Sequence, residues 1–591
     1  MPVLNQLIIS HHLKHTPKTE AFPKESNTKV SRIGSLFKGP AELHDCLFLA
    51  IIVLLSLVLY IKGLGYYSDD WHFLGLLGNA SDQSLFGLVK AVFPDTRLRP
   101  VQTLYVAGLY WFFGPHPLGY HLVNGLVFML AIVLLYLSLS SLLKMRLITV
   151  TVPLLYSLLP HYSTDRFWYI AFVANLSMAL YFLSLYSDLK AIQLQRQRVF
   201  GWKLVSVLCL LGSGFAYEVT LPLFLLNPLI VWCRASTLNV SLSKRALFVK
   251  VLLVPLATNG LIIAVLAAYK FLITRSDASG FVHNFVIHGD YSTHLLRLAT
   301  GAIGVNFGSY GIALPIKIWR VLRYYPDPTI LAASSIILLI IFFYFYRVVY
   351  YPASDLPGET TYFKMMGVGL IVFASGYAIF LSNGNVAFAT TGINNRLAIA
   401  AVLGVAIIFT AMIGWICWVL PSKRIRRFSF CLLVAFLCSG GFLLNNITAS
   451  YWLAAARQQQ GVIDAVRHQF STLAPETTLI LDGICPYTGP GIVFECYWDV
   501  GGMLRTEYHD SSIRGDVIKP NVQVTEQGLY TRIYGEKTYY PYSDQLLVFN
   551  LSNNEVYILK DAEAARRYLQ NVRLDDRACP EGTEGEGVPI F

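Results

Sequence analysis

An apolar run long enough to cross a bilayer leaves a chain few ways to fold, and this chain carries many such runs. They are Cys46–Leu64, Leu118–Leu143, Leu147–Leu159, Phe167–Ser187, Leu204–Ala216, Val219–Trp232, Val251–Ile273, Ile330–Tyr346, Phe363–Leu381, Leu397–Val419 and Phe428–Asn446. A helix needs about 20 apolar residues to span a hydrocarbon core, where no backbone polar group can be left unpaired. The sequence therefore predicts a polytopic α-helical membrane protein of about eleven spans. Composition agrees, since 14% of the 591 residues are charged where soluble domains carry about a quarter.

The formal net charge of +11 does not read as nucleic-acid binding, because the basic residues gather in short loops between spans. These are Lys144–Arg146, the segment around Arg196 and Arg198, Arg234 with Lys244, Arg245 and Lys250, and KRIRR at Lys423–Arg427. By the positive-inside rule they face the cytoplasm, together with the basic tail over 1–45, which lacks the apolar core and cleavage site of a signal peptide. Tyr66–Pro117 then lies outside. So does Thr274–Thr329, provided that the glycine-rich Leu295–Ile316 does not cross. The expected plan is N-in and C-out, with a transmembrane domain over 46–447 and an extracytoplasmic α/β domain over 448–591. In the latter, WLAAARQQQGVIDAVRHQF has helical periodicity, and TTLILDG, GIVFECYW, QLLVFNL and EVYIL read as strands. Outside the cytoplasm, Cys485 and Cys496 form a candidate disulfide; the six cysteines in apolar runs read as packing.

The first external loop is long, and long loops tend to carry function. It opens on YYSDDWHFL, with Asp69 and Asp70 at the lip of the first span, and continues through PDTRLRP to an amphipathic Val101–Phe113 that reads as a helix lying on the membrane. The two aspartates read either as helix caps or as a general base that takes a proton from an acceptor hydroxyl while a lipid-borne substrate approaches sideways. Arg97 and Arg99 are either interface anchors or phosphate ligands. Arg396, in GINNRLAIA, opens a span from the outer side, where a charge is costly without a partner. PHYSTDRFW and AYEV face the same compartment, and a structural Arg166–Glu218 ion pair is the plain reading of their charges. His283, His288 and His294 lack metal-ligand spacing and read as loop residues. No GxxxxGK[ST], HExxH or GxSxG motif occurs, so nucleotide-driven, zincin and serine-hydrolase chemistry are unsupported.

Asp69-Asp70-Trp71-His72-Phe73 behind a first span resembles the Asp-Glu-Val-His-Phe run of protein O-mannosyltransferases. RPVQTLYVAGLYWFFGPHPLGYHLVNGLVF resembles the Arg-Pro…His-Pro…Tyr-His-Leu-Val-Asn pattern of multi-span mannosyltransferases with tetratricopeptide tails. Over Tyr66–Trp232 the chain is thus similar to the GT-C membrane glycosyltransferases, the superfamily that includes the aminoarabinose transferases. That resemblance implies inverting transfer of a sugar from a polyprenyl-phosphate donor in the membrane lipid to an extracytoplasmic glycan, lipid or protein. It implies Asp69 as base, Asp70 in place of the family's Glu, and substrate-binding roles for His72, Arg97, Arg99, His121, Arg166, Glu218 and Arg396. One carboxylate suffices, because a phosphate held by cations leaves without protonation, whereas glycosidases need two. The chain departs from the pattern at Tyr217-Glu218, where relatives carry Lys-Glu; Arg396 or a first-loop arginine would then supply the cation. Its C-terminal part shows neither tetratricopeptide periodicity nor β-trefoil repeats. A lipid-linked-glycan flippase or an assembly scaffold are the competing readings, although a transporter should show internal repeats and polar residues in both halves. The sugar, the acceptor and any divalent-metal requirement are not written in the sequence.

Overall fold

In the computed structural model of the protein, the described residues are 39–571 apart from 194–195, 239–242, 276–289, 351–355, 383–387, 520–521 and 534–535. Residues 1–38 of the expected tail thus lie outside them, and its last residues, from Pro40, belong to the first helix. The first span, α1 (Pro40–Leu57), ends earlier than Leu64 because the chain tightens into a 3-10 turn at Ile61–Gly63. The first loop folds into α2 (Asp69–Gly78), α3 (Leu85–Thr96) and α4 (Pro100–Phe113), and α5 (Pro117–Leu142) returns through the bundle. Pro40, Pro100 and Pro117 each open a helix, where a missing N–H costs nothing. On α4, Gln102, Thr103, Val106 and Ala107 are buried while Leu104, Trp111 and Phe112 are exposed, as suits a helix resting on lipid.

Among the described residues nine helices are long and apolar enough to cross a membrane, so this is an integral membrane protein. The expected spans Leu147–Leu159 and Phe167–Ser187 are not among the nine. The first is the helix α6 (Arg146–Leu158), short for a span; the second begins only at Val173 in α7 (Val173–Ala191), whose last turns carry Asp188, paired with Lys203 at 2.7 Å, and Lys190.

The bundle has two polar ends. At one, the Asp45 carboxylate accepts hydrogen bonds from Arg146 (2.6 Å), Tyr136 (2.7 Å) and Tyr344. At the other, Glu218 meets Arg99 and Lys270. The chain leaves the span Lys244–Thr274 at the Glu218 end, and Tyr344 of Pro328–Tyr350 reaches the Asp45 end. The intervening segment thus begins and ends on one side. There Tyr291–Ile303 continues through π-helical turns to Ile312, and Leu314–Tyr324 follows. Lys317 is buried over the Tyr310 ring rather than solvated. His294 Nε2 lies 3.0 Å from the Phe380 carbonyl, while His283 and His288 fall outside the described residues.

The last span does not stop at the bilayer. α8 (Lys423–Gln469) is one 47-residue helix, about 70 Å long at 1.5 Å per residue, running unbroken through residues 447–448. It leads into a sheet of β1 (Thr478–Asp482), β2 (Arg514–Val517), β3 (Leu546–Asn550) and β4 (Glu555–Ile558) in the order β2-β1-β3-β4. β1 is parallel to β2 and β3, and β4 is antiparallel to β3. GIVFECYW is not the strand its composition suggests. Only Gly491–Ile492 pairs, and from Tyr497 the chain is helical (α9, Tyr497–Tyr508). Asp499 explains the switch: its carboxylate accepts the backbone N–H of Glu495 (2.7 Å) and Cys496 (3.0 Å), closing a capping box. The Cys485–Cys496 pairing does not form. Cys496 is a free, buried thiol, and Cys485 is disulfide-bonded to a partner outside the described residues.

α9 locks this domain onto the first loop. A Cβ on Gly502 would lie 2.3 Å from the Trp71 carbonyl carbon, and one on Gly75 2.9 Å from the Gly502 oxygen, so two helix backbones touch where no side chain fits. Asn79 donates to the Arg505 carbonyl (3.0 Å) and Tyr67 to that of Trp452 (2.9 Å).

Candidate functional site

Neither aspartate is the N-cap of α2. That position belongs to Ser68, held at φ 47°, ψ −119°, where non-glycine residues are uncommon. The two carboxylates then diverge. Asp70 is fully buried and accepts the N–H groups of Tyr67 (2.9 Å) and Ile170 (3.3 Å), tying the turn before α2 to the segment before α7. Asp69 is half-buried and accepts no hydrogen bond among the described residues. Burial pushes its carboxyl above the ordinary value; Arg396, His72 and Arg99 oppose that rise, and Glu495 adds to it. Those four side chains, from three distant parts of the chain, therefore act electrostatically on Asp69.

Arg396 comes from the turn that opens the span Ile393–Val419. Its guanidinium lies over the Trp168 ring at 4.7 Å, and its buried Nε makes no hydrogen bond. Asp165 is wholly buried, and among the described residues neither of its carboxylate oxygens has a hydrogen-bond partner. Burial raises the Asp165 proton affinity, against Arg396 and Arg166.

Arg99 forms a two-pronged pair with Glu218, Nη2 to Oε1 at 2.6 Å and Nε to Oε2 at 3.1 Å, and sits 4.4 Å over the Tyr217 ring. Lys270 completes the group, its Nζ 2.8 Å from Glu218 Oε2. Two cations on one carboxylate leave a net positive charge at this end of the bundle. Lys270 comes from the helix Lys244–Thr274 and not from the residue beside Glu218.

The expected Arg166–Glu218 pair does not exist. Arg166 is buried between Ser56 and Ser157, with Phe128 at 4.7 Å, and lines a small cleft with Tyr60, His121 and Asn124. His121 braces the entry to the site, its Nε2 3.0 Å from the Gly65 carbonyl. His72 pairs with Asp95 at 2.7 Å, and the Arg97 carbonyl accepts from Tyr269 (2.8 Å). Asp95 is held below the usual carboxylate range by His72, with Arg97 adding its charge.

Asp69 thus lies within electrostatic reach of His72, Arg99 and Arg396, with Glu218 paired to Arg99, while Arg166 and His121 line the cleft. Sequence reasoning missed Lys270, Asp165 and Glu495. Each had a signal: a charge near the end of an apolar run, a second charge in PHYSTDRFW, and an acid inside the apolar GIVFECYW. Glu495, Cys496 and Asp499 lie close enough to hold a metal ion, but Asp499 is already accounted for as a cap, and Glu495 accepts from Ser68 and Tyr487.

Crystal structures of ArnT from Cupriavidus metallidurans resemble this chain at 14% sequence identity and a TM-score of 0.32. The undecaprenyl-phosphate-bound structure matches over 74% of this chain and 82% of its own, the apo structure over 75% and 83%. No protein-family model and no curated protein matches the chain. An identity and a score this low leave activity and substrate to be argued from the residues.

Proposed function

We propose that the chain is a GT-C-type membrane glycosyltransferase that moves a sugar, with inversion, from a polyprenyl-phosphate donor to an extracytoplasmic acceptor. The observation carrying this reading is the Asp69 carboxylate, half-buried and unpartnered, in the field of Arg396 and Arg99 at one end of the bundle. An acceptor hydroxyl would give its proton to Asp69 as its oxygen attacks the anomeric carbon. The bond from that carbon to the phosphate oxygen breaks, and its electron pair leaves with the polyprenyl phosphate. The new negative charge needs preorganised cations more than a second acid. Arg99 and Lys270 flanking Glu218, with Arg396 nearer the base, meet that need. Asp69 then releases its proton to water.

The polar candidates gather at one end, which favours transfer over transport, where polar groups and broken helices belong near the midplane of both halves. A disulfide at Cys485 supports an extracytoplasmic C-terminal domain, because disulfides persist outside the reducing cytoplasm.

The test uses purified protein, radiolabelled polyprenyl-phosphate sugars and a membrane extract as acceptor source. Wild type transfers label, and Asp69→Asn loses about 10²–10⁴ in rate while expression and solution behaviour persist. Undiminished transfer by that variant would remove Asp69 from the chemistry and this reading with it.

A further inference from the structure

We infer that Glu495, supplied by the C-terminal domain, is a positioning residue for Asp69 that acts through Ser68, so that the polar domain is a working part of the site rather than a separate module. The inference rests on the transferase reading above and deepens it.

Ser68 Oγ donates to Glu495 Oε1 at 2.7 Å across 427 residues of sequence, in a fully buried contact. The same Oγ accepts the indole N–H of Trp498 at 3.1 Å. Tyr487 donates to the other oxygen of Glu495, whose side chain is wholly buried. Two groups thus fix the residue directly before Asp69, and Tyr487 holds Glu495 in place. Ser68 needs fixing, because its φ of 47° with ψ −119° is a strained conformation that the surroundings must enforce. Without Glu495 Ser68 loses the acceptor that holds it in that shape, and Asp69, the next residue, shifts from its place. The carboxylate also acts on Asp69 directly, as a like charge that favours the protonated form.

The charged and titratable groups facing Asp69 are Asp70 and His72 on its own helix, Arg99 before α4, Tyr169 before α7, Arg396 and Glu495. Of these Glu495 alone belongs to the C-terminal domain. A merely structural Glu495 would affect folding and nothing else. A positioning Glu495 has two separable effects, one carried by charge and one by the hydrogen bond to Ser68.

The experiment compares Glu495→Gln and Ser68→Ala with wild type in detergent-purified full-length protein, following label transfer across pH. Glu495→Gln keeps an acceptor for Ser68 and removes the charge, so the acidic limb of kcat/KM moves to lower pH by about half a unit or more. Ser68→Ala keeps the charge and cuts the link, so kcat falls about tenfold or more with the limb unmoved and the donor KM little changed. Both variants should elute as the wild type does on size exclusion. If neither variant alters the limb or kcat while Asp69→Asn still abolishes transfer, the inference is wrong and the transferase reading stands. If Asp69→Asn is active, the reading itself fails. Should Glu495→Gln not fold, Ser68→Ala decides the matter: an unchanged kcat overturns the link.

Discussion

The carboxylate of Asp70 takes two backbone N–H groups and that of Asp69 takes none, a difference that adjacency in the sequence hides. Hydrogen bonds of this kind make Asp70 a strut for the turn and leave its neighbour available for chemistry. The resemblance implies Asp69 as base, and the proposed function keeps that role for it because the Asp70 carboxylate is already engaged. That role also fixes a sign. A base works deprotonated, so transfer should rise with pH through the Asp69 titration, and burial places that titration above the ordinary carboxylate value of about 4. Arg396 opposes the rise. Arg396→Gln should therefore move the acidic limb of kcat/KM to higher pH, opposite in direction to Glu495→Gln, and should weaken donor binding. A pH profile of the purified variant checks this, and a limb moving downward would show that Arg396 does not act on the base.

At the scale of elements, nine of the eleven expected spans were legible because twenty apolar residues in a row have few alternatives. Leu147–Leu159 and Phe167–Ser187, by contrast, are shorter or polar-ended as helices. Strands β1, β3 and β4 followed from their bounded apolar runs. GIVFECYW was misread because β-branched and aromatic residues speak for a strand locally, while the deciding bond runs from Asp499 back to two N–H groups. The docking of α9 on α2 had no local signal at all, since Gly75 and Gly502 matter only when they meet. That contact can be tested. A methyl at Gly502 would fall 2.3 Å from the Trp71 carbonyl carbon and neighbouring backbone, which cannot yield as a flexible side chain would. Gly502→Ala should destabilise the folded protein by about 1–3 kcal/mol, the usual cost of overpacking, and lower transfer activity along with Tm. Gly461→Ala, on α8 where nothing lies within 4 Å of the added carbon, is the matched control and should be neutral or stabilising. Equal melting temperatures for the two variants would mean that α2 and α9 are not held backbone to backbone.

For the whole molecule, the two polar ends of the bundle follow from where charges sit between apolar runs, but the partner of Glu218 does not. Local pattern pointed to Arg166, which the fold buries elsewhere. Lys270 reaches Glu218 from a helix 52 residues away, a pairing that only the packed bundle creates. If position in space rather than in sequence is what phosphate binding requires, the lysine should be movable. Lys270→Gln leaves Glu218 to Arg99 alone, so the group loses its surplus positive charge and the donor KM should rise about tenfold or more, the loss expected when one charge-assisted contact to a phosphate goes. Adding Tyr217→Lys to that variant returns an ammonium to the same carboxylate from the neighbouring residue, as the mannosyltransferase pattern has it. The double variant should recover donor affinity in part, since the Tyr217 ring that now lies 4.4 Å beneath Arg99 is lost in the exchange. Tyr217→Lys alone should not improve on wild type, because Lys270 already occupies the place. Saturation kinetics on the four proteins distinguishes the outcomes: a KM indifferent to Lys270 would place the leaving phosphate elsewhere, with Arg396 as the cation to examine next.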